Sequence, residues 1–226
     1  MAMIDERTAI AARNNALLCA AVVRAQGREN RFADGFWHSP GRSLPFYPSV
    51  VTLSPTISPM LIDALMALPA GASVKDSFGT LNLSAQGFRK LFDARWLWRP
   101  ATNPSKTHIG EVIRSPEGLA VWCRAWGDQG PDIFSASLLQ DPKMIFSAVP
   151  DGDAIEAGFI VNRGPDQVAG ISNLFGPDGG RDALTAAVSR FGDSDLVGYE
   201  GDGDQIEMYL SAGFEPLGTL AIYLKE

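Results

Sequence analysis

The sequence has no run approaching the roughly 20 apolar residues that a membrane-spanning helix needs. Its opening stretch, MAMIDERTAI, lacks the basic-then-apolar order of a secretory leader. A cytoplasmic protein with no membrane partner is the expectation. Cysteine is scarce: Cys19 and Cys123 stand far apart in apolar, helix-like surroundings, which suits reduced thiols packed as small hydrophobes. His38 and His108 are the two histidines and there is no CxxC pair, so zinc-ligand spacing is missing and no metal site is expected. A GxSxG nucleophile turn with a partnering histidine is also missing, and VKDSF around Asp76 and Ser77 does not replace it. Positive charge is the smaller share, 19 Lys and Arg against 26 Asp and Glu for a net charge of -7. That balance excludes the basic face a nucleic acid requires and favours an amine-bearing small molecule as partner.

What the chain does have is globular. Its 226 residues are 46% hydrophobic and 20% charged, enough for one large or two small packed domains. Ile10 to Ala25 reads as one long helix closed near Gly27, with Asn14 and Asn15 inside it. FADGFWHSPGRSLPFYPS then reads as a long loop carrying Phe36, Trp37, Phe46 and Tyr47 as exposed aromatics. Two readings stand for it: the lining of a ligand cleft, with Trp37 and Tyr47 as substrate contacts, or a cap over the core beneath. Val50 to Leu53 and Ser73 to Phe78 read as strands flanking a helix from Ser58, which has Ser58 as N-cap and Pro59 at its first position.

Leu83 to Arg99 shares LSA, GF and a closing apolar strand with Leu210 to Lys225, and SVKDSF and LVGYE precede them in corresponding places. The ordering suggests duplication. Arg99 to Gly110, RPATNPSKTHIG, has linker composition, giving units 1–105 and 110–226. The second unit opens with a helix from Ser115 to Trp126 and a short helix from Phe134 to Leu139. Strands at Lys143 to Val149, Ile155 to Val161 and Gln167 to Phe175 follow. Trp96, Trp98, Trp122 and Trp126 are read as core packing.

The last 31 residues carry the most specific pattern: a short strand from Leu196, a Gly/Asp turn, a helix from Gln205 to Ala212 stopped by Gly213, and a closing strand. Ile206, Tyr209 and Leu210 fall at i, i+3 and i+4, one apolar stripe that must lie on a sheet. With Asp202, Tyr209, Gly213 and Phe214 in matching places, this segment resembles the end of the GNAT superfamily of N-acetyltransferases. The resemblance covers about the last 115 residues well and the first 100 only through the repeat. It implies an α/β fold with a mixed central sheet flanked by helices, with a partial second unit of the same kind at the N-terminus.

It also implies acetyl-CoA or another acyl-CoA as cofactor and a small amine as acceptor. An exposed sheet end in this fold pairs in many members, so a homodimer is a further expectation. Tyr209 would protonate the departing thiolate, although a tyrosine beside Ile206 and Leu210 also suits a half-buried core position. Glu156 is the candidate base, with Ser172, Asn173 and Glu200 as further choices, and Tyr199 would line the acceptor side. The pyrophosphate would sit on Asn173, Leu174, Phe175, Gly176, Gly179, Gly180 and Arg181, between a strand and a helix. This loop departs from the family's Q/R-x-x-G-x-G/A pattern and adds Asp178, so GPDGG can equally be a turn with Asp182 as N-cap. The rival to an enzyme is a GNAT-like module that binds a ligand or partner without catalysis.

Overall fold

The computed structural model describes residues 5–103, 109–127, 133–152, 154–165 and 167–226. The chain divides into two compact units, residues 1–96 with 217–226, and residues 97–216. The last strand therefore returns to the first unit, which the sequence reading had ended at residue 105.

In the first unit, α1 (Glu6–Ala25) starts where the Asp5 carboxylate accepts the N–H of Arg7, and Gly27 follows its end at φ 70°. The FADGFWH segment is a β-hairpin rather than a loop: β1 (Arg31–Ala33) and β2 (Phe36–His38) pair across Asp34 and Gly35. β2 continues antiparallel to β3 (Val50–Thr52). A crossover through α2 (Pro59–Met66), with the Ser58 hydroxyl accepting the N–H of Leu61, then makes β4 (Ser73–Asp76) parallel to β3. β4 pairs antiparallel with the end of β11 (Glu215–Lys225), and β11 neighbours the start of β5 (Phe88–Arg99). Leu61 and Leu65 of α2 bury against Phe36, Val50, Val74, Ala221 and Tyr223. Lys75, next to Val74 and so on the opposite face, donates from Nζ to Asn15 Oδ1 of α1 at 2.7 Å. That contact gives the buried Asn15 side chain a partner.

The second unit takes the last three residues of β5. Its sheet runs β10 (Asp195–Glu200), β9 (Val168–Phe175), β8 (Ala154–Arg163), β7 (Met144–Asp151) and β6 (Glu111–Val112). β6 to β9 are antiparallel neighbours, while β9 and β10 are parallel around α4 (Arg181–Phe191). One face packs on α4 and α5 (Gly203–Ser211) through Phe159, Val161, Ile171, Leu184, Leu196 and Tyr209. On α3 (Pro116–Trp126), capped by Ser115, the fully buried Trp122 meets Phe134, Phe146 and Phe175 edge-on, and its indole N–H donates to Ser147 O at 2.9 Å. The short helix expected at Phe134 is a 3-10 turn, Ala136–Gln140. Arg99 Nε donates to Ala212 O at 3.1 Å, placing a cation at the carbonyl end of α5, where the helix dipole favours it.

Candidate functional site

The second unit brings the sequence-predicted residues together where β9 and β10 part. Their parallel ladder ends at the pair Val197 and Gly170, and both strands run on, to Glu200 and Phe175. A bulge in β9 lies just past the end of that ladder. Gly158 pairs with Phe175 but Ile160 pairs with Ser172, so Asn173 and Leu174 stand opposite the single residue Phe159. Asn173 takes φ 53° to make it. The extra residue reverses the alternation of side chains, so Leu174 packs with the α4 and α5 core while Phe175 meets Trp122 on the other face. Ser172 Oγ is buried and has no hydrogen-bond partner among the described residues.

Tyr209 sits on α5, whose first turn is held by Asp202 accepting the N–H groups of Asp204 and Gln205. The core reading of this tyrosine describes its ring. The ring is buried core, T-stacked on Phe214 at 4.9 Å, yet its hydroxyl lies against the bare Cα of Gly198 on β10, beyond the ladder's end. That hydroxyl makes no hydrogen bond among the described residues. Burial, and then the nearby Glu200 and Tyr199, hold the phenol well above its ordinary pKa, so it stays protonated and able to donate. Glu200 is half-buried at the end of β10 and makes no hydrogen bond or ion pair among the described residues. Burial, and then the Asp202 carboxylate, push its pKa up to about 7. A carboxyl poised there takes a proton near neutral pH. Glu156 differs: its side chain is exposed, and it is the extra residue of a second bulge, between the pairs Val149–Ala157 and Pro150–Ile155. Only its backbone approaches the site, beside Gly176.

The loop after β9 runs from Gly176 at φ 137° through a 3-10 turn, with Asp178, Gly179 and Gly180 all at positive φ, into α4. Gly180 is the residue before the helix, and no side chain caps it. Asp182 is already the second helical residue and is not the N-cap, because the left-handed turn at Gly180 starts the helix at Arg181. The first-turn N–H groups of α4 are thus unclaimed by a side chain, the condition for holding an anion. The amide nitrogen of Gln205, from the first turn of α5, rests on Gly179 in the space a Cβ would take. It offers a donor at the same loop, with Arg181 exposed beside it. These groups fit a pyrophosphate, with the exposed Asp178 opposing it.

Trp37 and Tyr47 are buried in the first unit, so they are core side chains rather than exposed contacts for an acceptor. Trp37 lies in β2, flanked by strands on both sides, with its indole N–H on Asn30 Oδ1 at 3.1 Å. Of the aromatics in that segment, Phe32 and Phe46 are exposed, at 40% and 68%. Among the described residues there is no helix long and apolar enough to cross a membrane, and no group of ligands that could hold a metal.

No protein-family model matches the sequence, and no curated protein does. Solved structures do match. A GCN5-related N-acetyltransferase from Kribbella flavida superposes with a TM-score of 0.61 at 16% identity, covering 99% of this chain and 96% of its own. A protein assigned to the GNAT family from Novosphingobium aromaticivorans gives 0.57 at 9% identity, over 92% and 96% of the two chains. A conserved protein of unknown function from Staphylococcus epidermidis gives 0.54 at 12%, over 84% of each. The chain has the GNAT fold, the α/β fold of the GCN5-related N-acetyltransferases, over nearly its whole length.

Proposed function

We propose that the chain is an acyl-CoA-dependent N-acetyltransferase acting on a small amine-bearing acceptor. The observation that carries this reading is the pair at the parted ends of β9 and β10. Glu200 is a half-buried carboxyl with a pKa near 7, and the Tyr209 hydroxyl beside it has a hydrogen still to give. Acetyl-CoA supplies an acetyl thioester, whose transfer to an amine leaves a thiolate to be protonated. Glu200 takes the ammonium proton of the acceptor before attack, and Tyr209 donates its proton to the leaving sulfur. The uncapped start of α4, Gly179, Gly180 and the Gln205 amide would hold the pyrophosphate. The net charge of -7 draws a cationic amine toward the protein.

The first unit fits a reduced copy of the second in this reading. Each has antiparallel strands leading into a parallel strand-helix-strand crossover, β3–α2–β4 and β9–α4–β10. The second functional reading, a binding module without catalysis, is favoured by Asp178 at a loop that would carry phosphate. Incubating the purified chain with acetyl-CoA and a panel of primary amines, and following free thiol, separates the two. The enzyme reading expects amine-dependent thiol release that drops in Tyr209→Phe and Glu200→Gln. Thiol release that no amine stimulates overturns it.

A further inference from the structure

At the opposite end of the second unit's sheet, a cavity of about 430 Å³ opens between the ends of β6, β7 and β8 and the last turn of α4. Arg114, Arg163 and Arg190 border it, with Met144 and Phe191 among the apolar side chains that line it. It is separate from the acyl-transfer site. Arg163 pairs with Ala169 while Gly158 pairs with Phe175, so five residues of β8, about 16 Å, lie between the cavity and the bulge end of β9. Arg190 stands nine residues along α4 from Arg181, about 14 Å.

No ion pair ties any of the three guanidinium groups to a carboxylate among the described residues. Arg190 is held by donating to Gly110 O at 3.2 Å and sits in the last turn of α4, whose carbonyl end compensates its charge. Arg163 is fixed through its backbone, which donates to Lys143 O at 2.8 Å, and Arg114 directly precedes the Ser115 cap of α3. Asp141 also borders the cavity, but its carboxylate accepts the Lys143 N–H at 3.0 Å and leaves the arginines a surplus of positive charge. In a chain of net charge -7, three guanidinium groups gathered around one carboxylate carry a self-repulsion that a bound anion would relieve. Guanidinium forks match planar and tetrahedral oxyanions two bonds at a time.

We propose that this cavity binds a small organic anion, presenting a carboxylate or phosphate to Arg114, Arg163 and Arg190 and laying its hydrocarbon part on Met144 and Phe191. Its occupation does not depend on the acyl-transfer reading.

The test is a titration of the full chain with succinate and, separately, with inorganic phosphate, followed by calorimetry at constant ionic strength held with sodium chloride. A saturable signal from at least one of them is expected. Arg163→Gln and Arg114→Gln, both exposed and with no side-chain hydrogen bond or ion pair among the described residues, should each weaken it about five- to tenfold, while Arg181→Gln leaves it unchanged. The response of the Arg163→Gln chain to acetyl-CoA should match that of the unaltered chain, which separates this site from the other. Binding of neither probe, or binding weakened by Arg181→Gln but not by Arg163→Gln, overturns the proposal. A preference for succinate over phosphate assigns the carboxylate form, and the reverse the phosphate form.

Discussion

A Cβ atom at position 198 would lie 3.1 Å from the hydroxyl oxygen of Tyr209. Gly198 is bare because the phenol occupies the space above it, on the strand whose ladder with β9 has just ended. The tyrosine is thereby held by its ring, while its hydroxyl makes no hydrogen bond among the described residues.

Two substitutions separate those roles. Gly198→Ala pushes the ring aside and should cost about 1–3 kcal/mol of stability, as overpacking does, together with a fall in kcat. Tyr209→Phe keeps the ring and loses a hydroxyl with no partner among the described residues, so urea unfolding should change by less than about 1 kcal/mol. Its kcat should still fall about 100-fold or more. Denaturation and thiol-release assays on both variants check this, and a Tyr209→Phe chain with full kcat removes the acid role.

Glu200 makes the chain sensitive to pH in two ways. Its pKa is raised by burial and by Asp202 to about 7, so the folded state holds this proton more tightly than the unfolded state does. The stability this contributes is fully present below the ordinary carboxylate pKa and is lost as pH rises through about 7. Compared with Glu200→Gln, the unaltered chain should therefore lose on the order of 1–2 kcal/mol across that window. Activity moves the other way, because a base must be ionised. kcat/KM should rise through about pH 7 and then level, and Glu200→Gln should lack that limb. Urea midpoints and rates at half-unit steps of pH read both.

At the loop after β9, the Gln205 amide nitrogen lies over Gly179, where the proposed function would have it donate to the pyrophosphate. Gln205→Glu keeps the size and replaces a donor by a negative charge. It should weaken coenzyme A binding about tenfold or more while the melting temperature of the free chain stays within a few degrees. Titration calorimetry with coenzyme A reads this directly.

In the first unit, the ammonium of Lys75 is 1% exposed and donates to Asn15 Oδ1. It also lies 5.9 Å from the Trp96 ring centroid. Asn15→Ala removes an acceptor from a buried charge and should destabilise by about 1.5–3 kcal/mol. Adding Lys75→Met to it should recover much of that loss, since an apolar side chain needs no acceptor. Urea unfolding of the single and double variants measures the coupling.

Features set by neighbouring residues were legible before the structure. The Ser58 and Ser115 caps, the stop at Gly213 and the Tyr209 stripe are all decided within one helical turn. The β1–β2 hairpin carried a signal that went unused, an Asp-Gly pair between apolar residues, which marks a two-residue turn. Reading it would have placed Trp37 inside a sheet and removed it from the acceptor contacts. The return of β11 to pair Ala221 with Asp76 joins the two ends of the chain, and no local pattern reports such a partner. The bulges at Glu156 and Asn173 are each one extra residue and leave no trace in composition. The first is what leaves Glu156 as an unpaired extra residue of β8 with its side chain exposed. Glu200 was visible only as one acid among several, because its half-burial depends on the fold around it.

Acyl-CoA binding at the start of α4, as proposed, is tested most directly by thermal unfolding with acetyl-CoA and coenzyme A. A ligand present at a hundred times its dissociation constant stabilises by about 2.7 kcal/mol, a rise of a few degrees. Such a rise is expected in the unaltered chain. None is expected in Gly179→Asp, where a side chain would meet Gln205 and bring negative charge to the loop. No rise at millimolar concentrations of either compound, or an equal rise in Gly179→Asp, would contradict acyl-CoA binding at this loop.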